Sequence, residues 1–206
     1  MTITKKSQRF GLLLPSSNTT QEPEFIQVLP ASVSLHCARL TLSQIDPEST
    51  IKIVAELETE TRKLNDARVD AVVLSATAPS TRMGKGYDQE ICQRIEKACG
   101  KPATTAATAM LQAFNVLNIK KIVLAAPWSA ATNQTVANFI EASGVQVLHQ
   151  AAMGIVSNIE VGDLDAQTAS ALVSQPWFST STHIRAGMAQ QFSEFVASFG
   201  LIRSEE

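Results

Sequence analysis

The sequence has 206 residues, of which 45% are hydrophobic and 17% are charged, and its formal net charge at pH 7 is −2. This composition is typical of a folded globular protein and excludes a disordered chain. Because the chain has neither a block of basic residues nor an apolar stretch of membrane length, we expect no nucleic-acid partner and no membrane partner.

The three cysteines, Cys37, Cys92 and Cys99, are odd in number and lack the spacing of metal ligands. This usage predicts a reducing compartment, hence a cytoplasmic location, with no disulfide framework and no metal site. Each cysteine lies in or at the end of a predicted strand or helix, so we interpret all three as buried or half-buried thiols.

In chain order, apolar runs of strand length alternate with segments of helical periodicity. The predicted strands are residues 11–14, 33–40, 71–74, 122–126 and 145–148. The predicted helices are residues 47–64, 89–98, 105–117 and 133–142, and Gly100 has the position of a helix C-cap. Alternation of this kind is typical of an α/β fold with a mostly parallel sheet covered on both faces.

The predicted join between two halves falls near residues 118–121. We expect a first α/β half over residues 8–117 and a second over residues 118–206. In the second half, apolar side chains at helical spacing predict a C-terminal helix at about 183–200, and we expect this helix to pack back on the first half.

Several predicted strands end in loops of small polar residues, at positions 15–20, 75–81, 104–108 and 127–133. Since ligands of open α/β sheets bind at the carboxyl ends of the strands, we expect the four loops to converge on one crevice. Their hydroxyl groups and the N–H groups of helix N-termini suit carboxylate or phosphate oxygens. For any single loop the alternative is helix capping, which the same residue types favour. No glycine-rich nucleotide motif accompanies them.

Four segments carry a more specific signal: RFGLLLPSSNTTQEPEF, VDAVVLSATAPS, GKPATTAATAMLQAFNVLNIKKIVLAAPW and MGIVSNIEVGDL. In order and spacing they resemble the aspartate/glutamate racemase superfamily, and more narrowly its branch of maleate cis-trans isomerases and arylmalonate decarboxylases. The resemblance covers roughly residues 8–173, and the PSSNTT loop is its most specific part. It implies two pseudo-symmetric flavodoxin-like halves with the active site between them, the second half being shortened.

The resemblance also implies roles for particular residues. Asn18, helped by the loop of Ser16 and Ser17, would bind a substrate carboxylate. Thr77 takes the position of a hydroxyl and backbone N–H that hold a carboxylate or a developing enediolate. Asn158 matches a later substrate-binding asparagine. The residues alone also allow a helix cap at Asn18, a buried turn hydroxyl at Thr77 and an ordinary loop residue at Asn158.

Trp128 stands where relatives have a tyrosine whose hydroxyl contacts the substrate. An indole N–H donates a hydrogen bond but neither accepts one nor transfers a proton. Packing therefore explains this tryptophan as well as a substrate contact does.

The family's chemistry rests on two cysteine thiols, and this chain departs from that pattern. Ala76 stands at the first position, where arylmalonate decarboxylase also lacks cysteine, and no cysteine follows Cys99. A natural deletion and a change of reading frame are the two explanations for the missing second segment. His183, after the FSTST loop, is the best remaining proton donor, the alternative being an exposed residue near the start of the last helix.

The resemblance implies a cofactor-independent enzyme that acts on a small dicarboxylate by decarboxylation, cis-trans isomerisation or racemisation. The alternative is an inactive homologue that only binds a small carboxylate, because both family cysteines are absent. A shortened second sheet would leave an unpaired edge, so we also expect a homo-oligomer, most simply a dimer.

Overall fold

The computed structural model describes residues 8–173 and 185–186. Its strands are β1 (Gln8–Pro15), β2 (Val33–Leu40), β3 (Ala71–Leu74), β4 (Ala103–Thr105), β5 (Lys121–Ala126), β6 (Gln146–Ala152) and β7 (Arg185–Ala186). Its helices are α1 (Gln21–Val28), α2 (Pro47–Ala55), α3 (Leu57–Asp66), α4 (Thr77–Thr81), α5 (Tyr87–Cys99), α6 (Ala106–Val116), α7 (Ala130–Ala142), α8 (Asn158–Gly162) and α9 (Ala166–Val173). Within these ranges, no helix combines the length and the apolar character needed to cross a bilayer.

The strands form two sheets, and every pairing within them is parallel. The first sheet has the order β2-β1-β3-β4 and the second the order β6-β5-β7. β5 therefore occupies the place of β1, with β6 and β7 in the places of β2 and β3. The fold is an α/β fold of two similarly wound halves, as predicted, and in the described chain the second sheet is one strand shorter.

The largest apolar cluster contains residues of both sheets. Leu12, Leu13 and Leu14 of β1 are each 0% exposed, so this strand is buried on both faces. Leu13 packs into a large cluster that also contains Leu74 of β3 and Leu124 of β5, whereas Leu12 and Leu14 pack into a smaller one. The division of the chain at 117/118 stays a prediction, although each sheet draws its strands from one side of that point.

The predicted helix over residues 47–64 is wrong in one respect, because it is two helices, α2 and α3, with a break at Glu56. The Glu56 carboxylate accepts a hydrogen bond from the Thr41 N–H at 2.7 Å, which ties the break to the end of β2. Gly100 ends α5 in the left-handed conformation (φ 66°), so the predicted C-cap is confirmed.

The interpretation of Cys37 as a buried or half-buried thiol is also wrong, because this residue is exposed. β2 is an edge strand, and the apolar cluster around Phe25 covers Val33 and Leu35 on the same face but does not include Cys37. Cys92 and Cys99 are buried, as expected.

The predicted C-terminal helix is wrong at Arg185–Ala186, which form β7. The backbone of these two residues pairs with Val123 and Leu124, on the edge of β5 that β6 leaves open. The other residues of the predicted helix, and His183, lie outside the described residues.

Candidate functional site

A cavity of about 440 Å³ lies at the carboxyl ends of β1, β3 and β5. Its wall combines the PSSNTT loop, the start of α4, the loop after β5 and the segment around α8. Asn18, Thr77, Trp128 and Asn158, which the resemblance singled out, all line it. Three of the four polar loops thus converge on one cavity.

Asn18 combines the two roles that the sequence left as alternatives. Its Oδ1 accepts hydrogen bonds from the N–H groups of Thr20 (3.1 Å) and Gln21 (2.8 Å), so the side chain caps the start of α1. Its Nδ2 makes no hydrogen bond to any described residue. An amide N–H pair at the cavity wall is therefore free to donate to a ligand oxygen.

Arg39, at the carboxyl end of β2, holds the loop from behind. Its Nη1 donates to the carbonyl oxygens of Ser16 and Asn18, at 2.9 Å each, and its Nη2 forms an ion pair with Glu22. One guanidinium group thus holds two carbonyl oxygens of the loop and the side chain of Glu22.

Ser16 and Ser17 join the loop to other segments and are not among the described residues that line the cavity. The hydroxyl of Ser16 accepts from the Leu42 N–H at 3.1 Å, and the hydroxyl of Ser17 donates to the Leu42 carbonyl. Asn158 of the second half donates through Nδ2 to Ser17 Oγ at 3.0 Å. The two serines therefore position the loop and Asn158.

The end of β3 forms the centre of the cavity wall. Ala76, which is 7% exposed, precedes α4, and Thr77 is the first residue of that helix. Ser75 is 1% exposed, and its buried hydroxyl has no hydrogen-bond partner within residues 8–173 and 185–186. Gln21 of α1 donates through Nε2 to the Ser75 carbonyl at 3.0 Å, which fixes α1 against this strand end.

Trp128 presents its ring to the cavity while its N–H is used inside the protein. The indole Nε1 donates to Asn133 Oδ1 at 3.1 Å, and the residue is only 4% exposed. The side chain thus contributes an apolar wall, and its only donor is already bonded.

The fourth polar loop, at residues 104–108, was wrongly expected at the cavity. Thr105 caps α6 by accepting from the Thr108 N–H at 3.0 Å, and the Thr108 hydroxyl donates to Asp88 at 2.7 Å. The preceding strand, β4, is the edge strand of the first sheet, so its loop lies away from the junction of β1, β3 and β5. Capping explains these threonines.

Among the described residues, the charged side chains that line the cavity are both acidic: Glu24 and Asp165. Burial raises the pKa of Glu24 above its ordinary value. Hydrogen bonds from Thr168 lower the pKa of Asp165, whose Oδ1 accepts from the Thr168 N–H at 2.7 Å.

The sequence interpretation missed Gln21, Glu24 and Arg39. The signal was present for Gln21 and Glu24, which lie in the first turn of the helix that follows the PSSNTT loop.

The three thiols lie away from the cavity wall. Burial raises the pKa of Cys92. Partial desolvation of the sulfur raises the pKa of Cys37 to about 11, although the residue as a whole is exposed. Because a raised pKa lowers the fraction of thiolate, neither residue is activated as a nucleophile at neutral pH.

Comparison with known proteins agrees with the resemblance. The chain is 28% identical over 178 residues to a maleate isomerase of Pseudomonas putida, covering 81% of this chain and 71% of that protein. It is 22% identical over 129 residues to an arylmalonate decarboxylase of Bordetella bronchiseptica, covering 63% of this chain and 54% of that one.

Solved structures share the fold. The maleate isomerase Iso of Pseudomonas putida S16, in a crystal structure with maleate, superposes with a TM-score of 0.78 at 22% identity, covering 82% of this chain and 72% of that one. A maleate cis-trans isomerase of Nocardia farcinica with a covalently bound succinylcysteine intermediate superposes with a TM-score of 0.76 at 21% identity, covering 81% and 71%.

The sequence model of one family, described as arylmalonate decarboxylase, matches residues 10–186 and so spans both sheets and every segment of the cavity wall. The chain belongs to the arylmalonate decarboxylase family.

Proposed function

We propose that this chain acts on a small dicarboxylate in the cavity without a cofactor, and that decarboxylation of a malonate is the reaction its residues support best. The observation that carries the proposal is the convergence of Asn18, Thr77 and Asn158, from three separate segments, on one cavity wall. Family membership supports the same class of chemistry.

Decarboxylation suits this wall because it needs no nucleophile. The bond between the central carbon and one carboxylate breaks, and that carboxylate leaves as CO₂. The electron pair of the bond forms an enediolate with the carboxylate that remains. The central carbon then takes up a proton. The protein must supply hydrogen-bond donors for the enediolate, an apolar place for the departing carboxylate and an acid.

The residues divide among these tasks. Asn18 Nδ2 and the Thr77 hydroxyl are the proposed donors to the carboxylate that becomes the enediolate, with Asn158 beside them. Part of the wall is apolar and destabilises the ionised form of the departing carboxylate. This part consists of Leu42, Ile45, Met153 and Leu172. The proton donor is either Glu24, whose raised pKa favours its acidic form, or the sequence-predicted His183.

Cis-trans isomerisation of maleate requires a nucleophile. The nucleophile adds to the double bond, rotation occurs about the resulting single bond, and the nucleophile then leaves. Ala76 has no such group, and the three thiols of the chain lie elsewhere. The same observation favours a second candidate function, in which the cavity binds a carboxylate and performs no chemistry.

Phenylmalonate in D₂O tests these proposals. We expect the wild type to produce phenylacetate with one deuterium at the α-carbon. Asn18→Asp keeps the oxygen that caps α1 and removes the Nδ2 donor, so it should fold normally and lose about tenfold or more in kcat/KM. Asn138→Ala, on the exposed face of α7, is the control and should match the wild type.

Calorimetry with malonate separates the outcomes. Binding by the wild type without product would favour the carboxylate-binding function. Equal binding by the wild type and Asn18→Asp would remove Asn18 from the site. Absence of binding would overturn both candidate functions.

A further inference from the structure

Two buried polar atoms in the cavity wall have no hydrogen-bond partner among the residues that the structure describes. They are Gln21 Oε1, in the first turn of α1, and Ser75 Oγ, at the end of β3, and both residues line the cavity. Ser75 is 1% exposed, so its hydroxyl is not compensated by bulk water. A buried polar group without a partner destabilises the fold, and native proteins keep few of them.

The orientation of the Gln21 amide follows from its neighbour. Its Nε2 donates to the Ser75 carbonyl at 3.0 Å. A carbonyl oxygen only accepts, so the opposite orientation would set two acceptors against each other. The amide oxygen is therefore the unpaired atom, and the same contact brings it close to the Ser75 residue.

The two atoms have complementary requirements. Gln21 Oε1 needs a donor, whereas Ser75 Oγ accepts a donor or donates its own proton. Glu24 lies three residues after Gln21 on the same face of α1. Its carboxyl group keeps an accepting oxygen in the protonated form as well as in the ionised form. An unsubstituted dicarboxylate offers acceptors only and cannot satisfy Gln21.

We propose that Gln21 and Ser75 form a subsite that selects dicarboxylates bearing a hydrogen-bond donor, a hydroxyl or an ammonium group, on the carbon next to the carboxylates. The inference rests on the proposed function, because it assumes that the carboxylates themselves lie near Asn18 and Thr77. The donor of the ligand bonds to Gln21 Oε1 and contacts Ser75 Oγ.

Calorimetry with four ligands tests the subsite: malonate, methylmalonate, hydroxymalonate and aminomalonate. Methylmalonate matches the added group in size and lacks a donor. We expect hydroxymalonate to bind about fivefold to tenfold more tightly than methylmalonate, the factor for one neutral hydrogen bond. The affinities for aminomalonate and hydroxymalonate then show whether the subsite prefers an ammonium group or a hydroxyl group.

Gln21→Met and Ser75→Ala should each reduce this preference, measured as the ratio of the two affinities, to less than about twofold. Gln134→Met, on the exposed face of α7, is the matched control and should keep the full preference. Two variants are used because Gln21→Met also leaves the Ser75 carbonyl without its donor, whereas Ser75→Ala removes only an unbonded hydroxyl.

Equal affinity of the wild type for methylmalonate, hydroxymalonate and aminomalonate would overturn the subsite and leave the proposed function standing. A preference that survives in both variants would place the donor contact elsewhere and also overturn it. If none of the four ligands binds, the proposed function and the subsite fall together.

Discussion

Ser75 and Ser80 are two buried serines that differ in whether their hydroxyl is bonded. Ser80 Oγ donates to the Ala76 carbonyl at 2.8 Å, whereas Ser75 Oγ has no partner in the described part of the chain. We therefore predict that Ser75→Ala raises the free energy of unfolding of the ligand-free protein by about 1 kcal/mol, and that Ser80→Ala lowers it by a similar amount. Urea unfolding of the two variants measures the difference. Equal losses in both would show that the Ser75 hydroxyl is bonded after all.

Glu24 should make stability depend on pH in a specific direction. Burial raises its pKa in the folded protein above the unfolded value. Between those two values the folded state holds more protons, so the contribution of Glu24 to stability falls as pH rises through this window and stays low above it. Glu24→Gln removes this loss. We predict that the free energy of unfolding of the variant, taken relative to that of the wild type, is higher at pH 7 than at pH 4.

Urea unfolding of the wild type and Glu24→Gln at both pH values gives that difference directly, because contributions from other groups cancel. Glu90→Gln, on the exposed face of α5, serves as the control. A difference between the wild type and Glu24→Gln that does not change with pH would rule out a raised pKa at Glu24.

At this scale the sequence predicted that Asn18 lies at the cavity, and it missed Gln21 and Glu24 of the same wall. Asn18 was predictable because its motif is local and specific. The contact between Gln21 and Ser75 joins residues 54 positions apart, so only the packing of α1 on the end of β3 reveals it. Local patterns carry no information on which polar atoms stay unpaired.

Among the secondary-structure elements, the loop after β1 depends on β2 through Arg39. Its guanidinium bonds to two loop carbonyls and to Glu22. We predict that Arg39→Met weakens malonate binding about threefold to tenfold, because the loop loses hydrogen bonds from a charged donor without losing any ligand contact. Arg62→Met, on the exposed face of α3, should bind malonate like the wild type. Calorimetry compares the two, and unchanged binding by Arg39→Met would mean that the loop keeps its shape unaided.

Sequence patterns located elements well where the pattern itself decides them. β2 and β3 have the predicted bounds. β6 extends past the predicted end, to Ala152, because its last residues continue to pair with β5. The break between α2 and α3 and the edge position of β4 depend on tertiary contacts, so the periodicity of the sequence could not predict them.

At the scale of the whole molecule, the second sheet leaves β7 with an outer edge that no described strand covers. Open sheet edges tend to pair with another chain or to be covered. We therefore predict that the protein is a homodimer. Light scattering coupled to size-exclusion chromatography checks the mass, and a monomer at working concentration would contradict the prediction.

The two halves meet in a short backbone contact beside the cavity. The Ile45 N–H donates to the Val156 carbonyl at 2.7 Å, the Asn158 N–H donates to the Ser43 carbonyl at 3.0 Å, and Gln44 and Ser157 form an antiparallel bridge between them. The wall of the cavity draws residues from both sides of this contact. By mass action, a ligand present at 100 times its Kd adds about 2.7 kcal/mol to the state that binds it. Here the state that binds the ligand is the assembled pair of halves, so the ligand stabilises both sheets together. We therefore expect a single melting transition, which the ligand shifts to higher temperature.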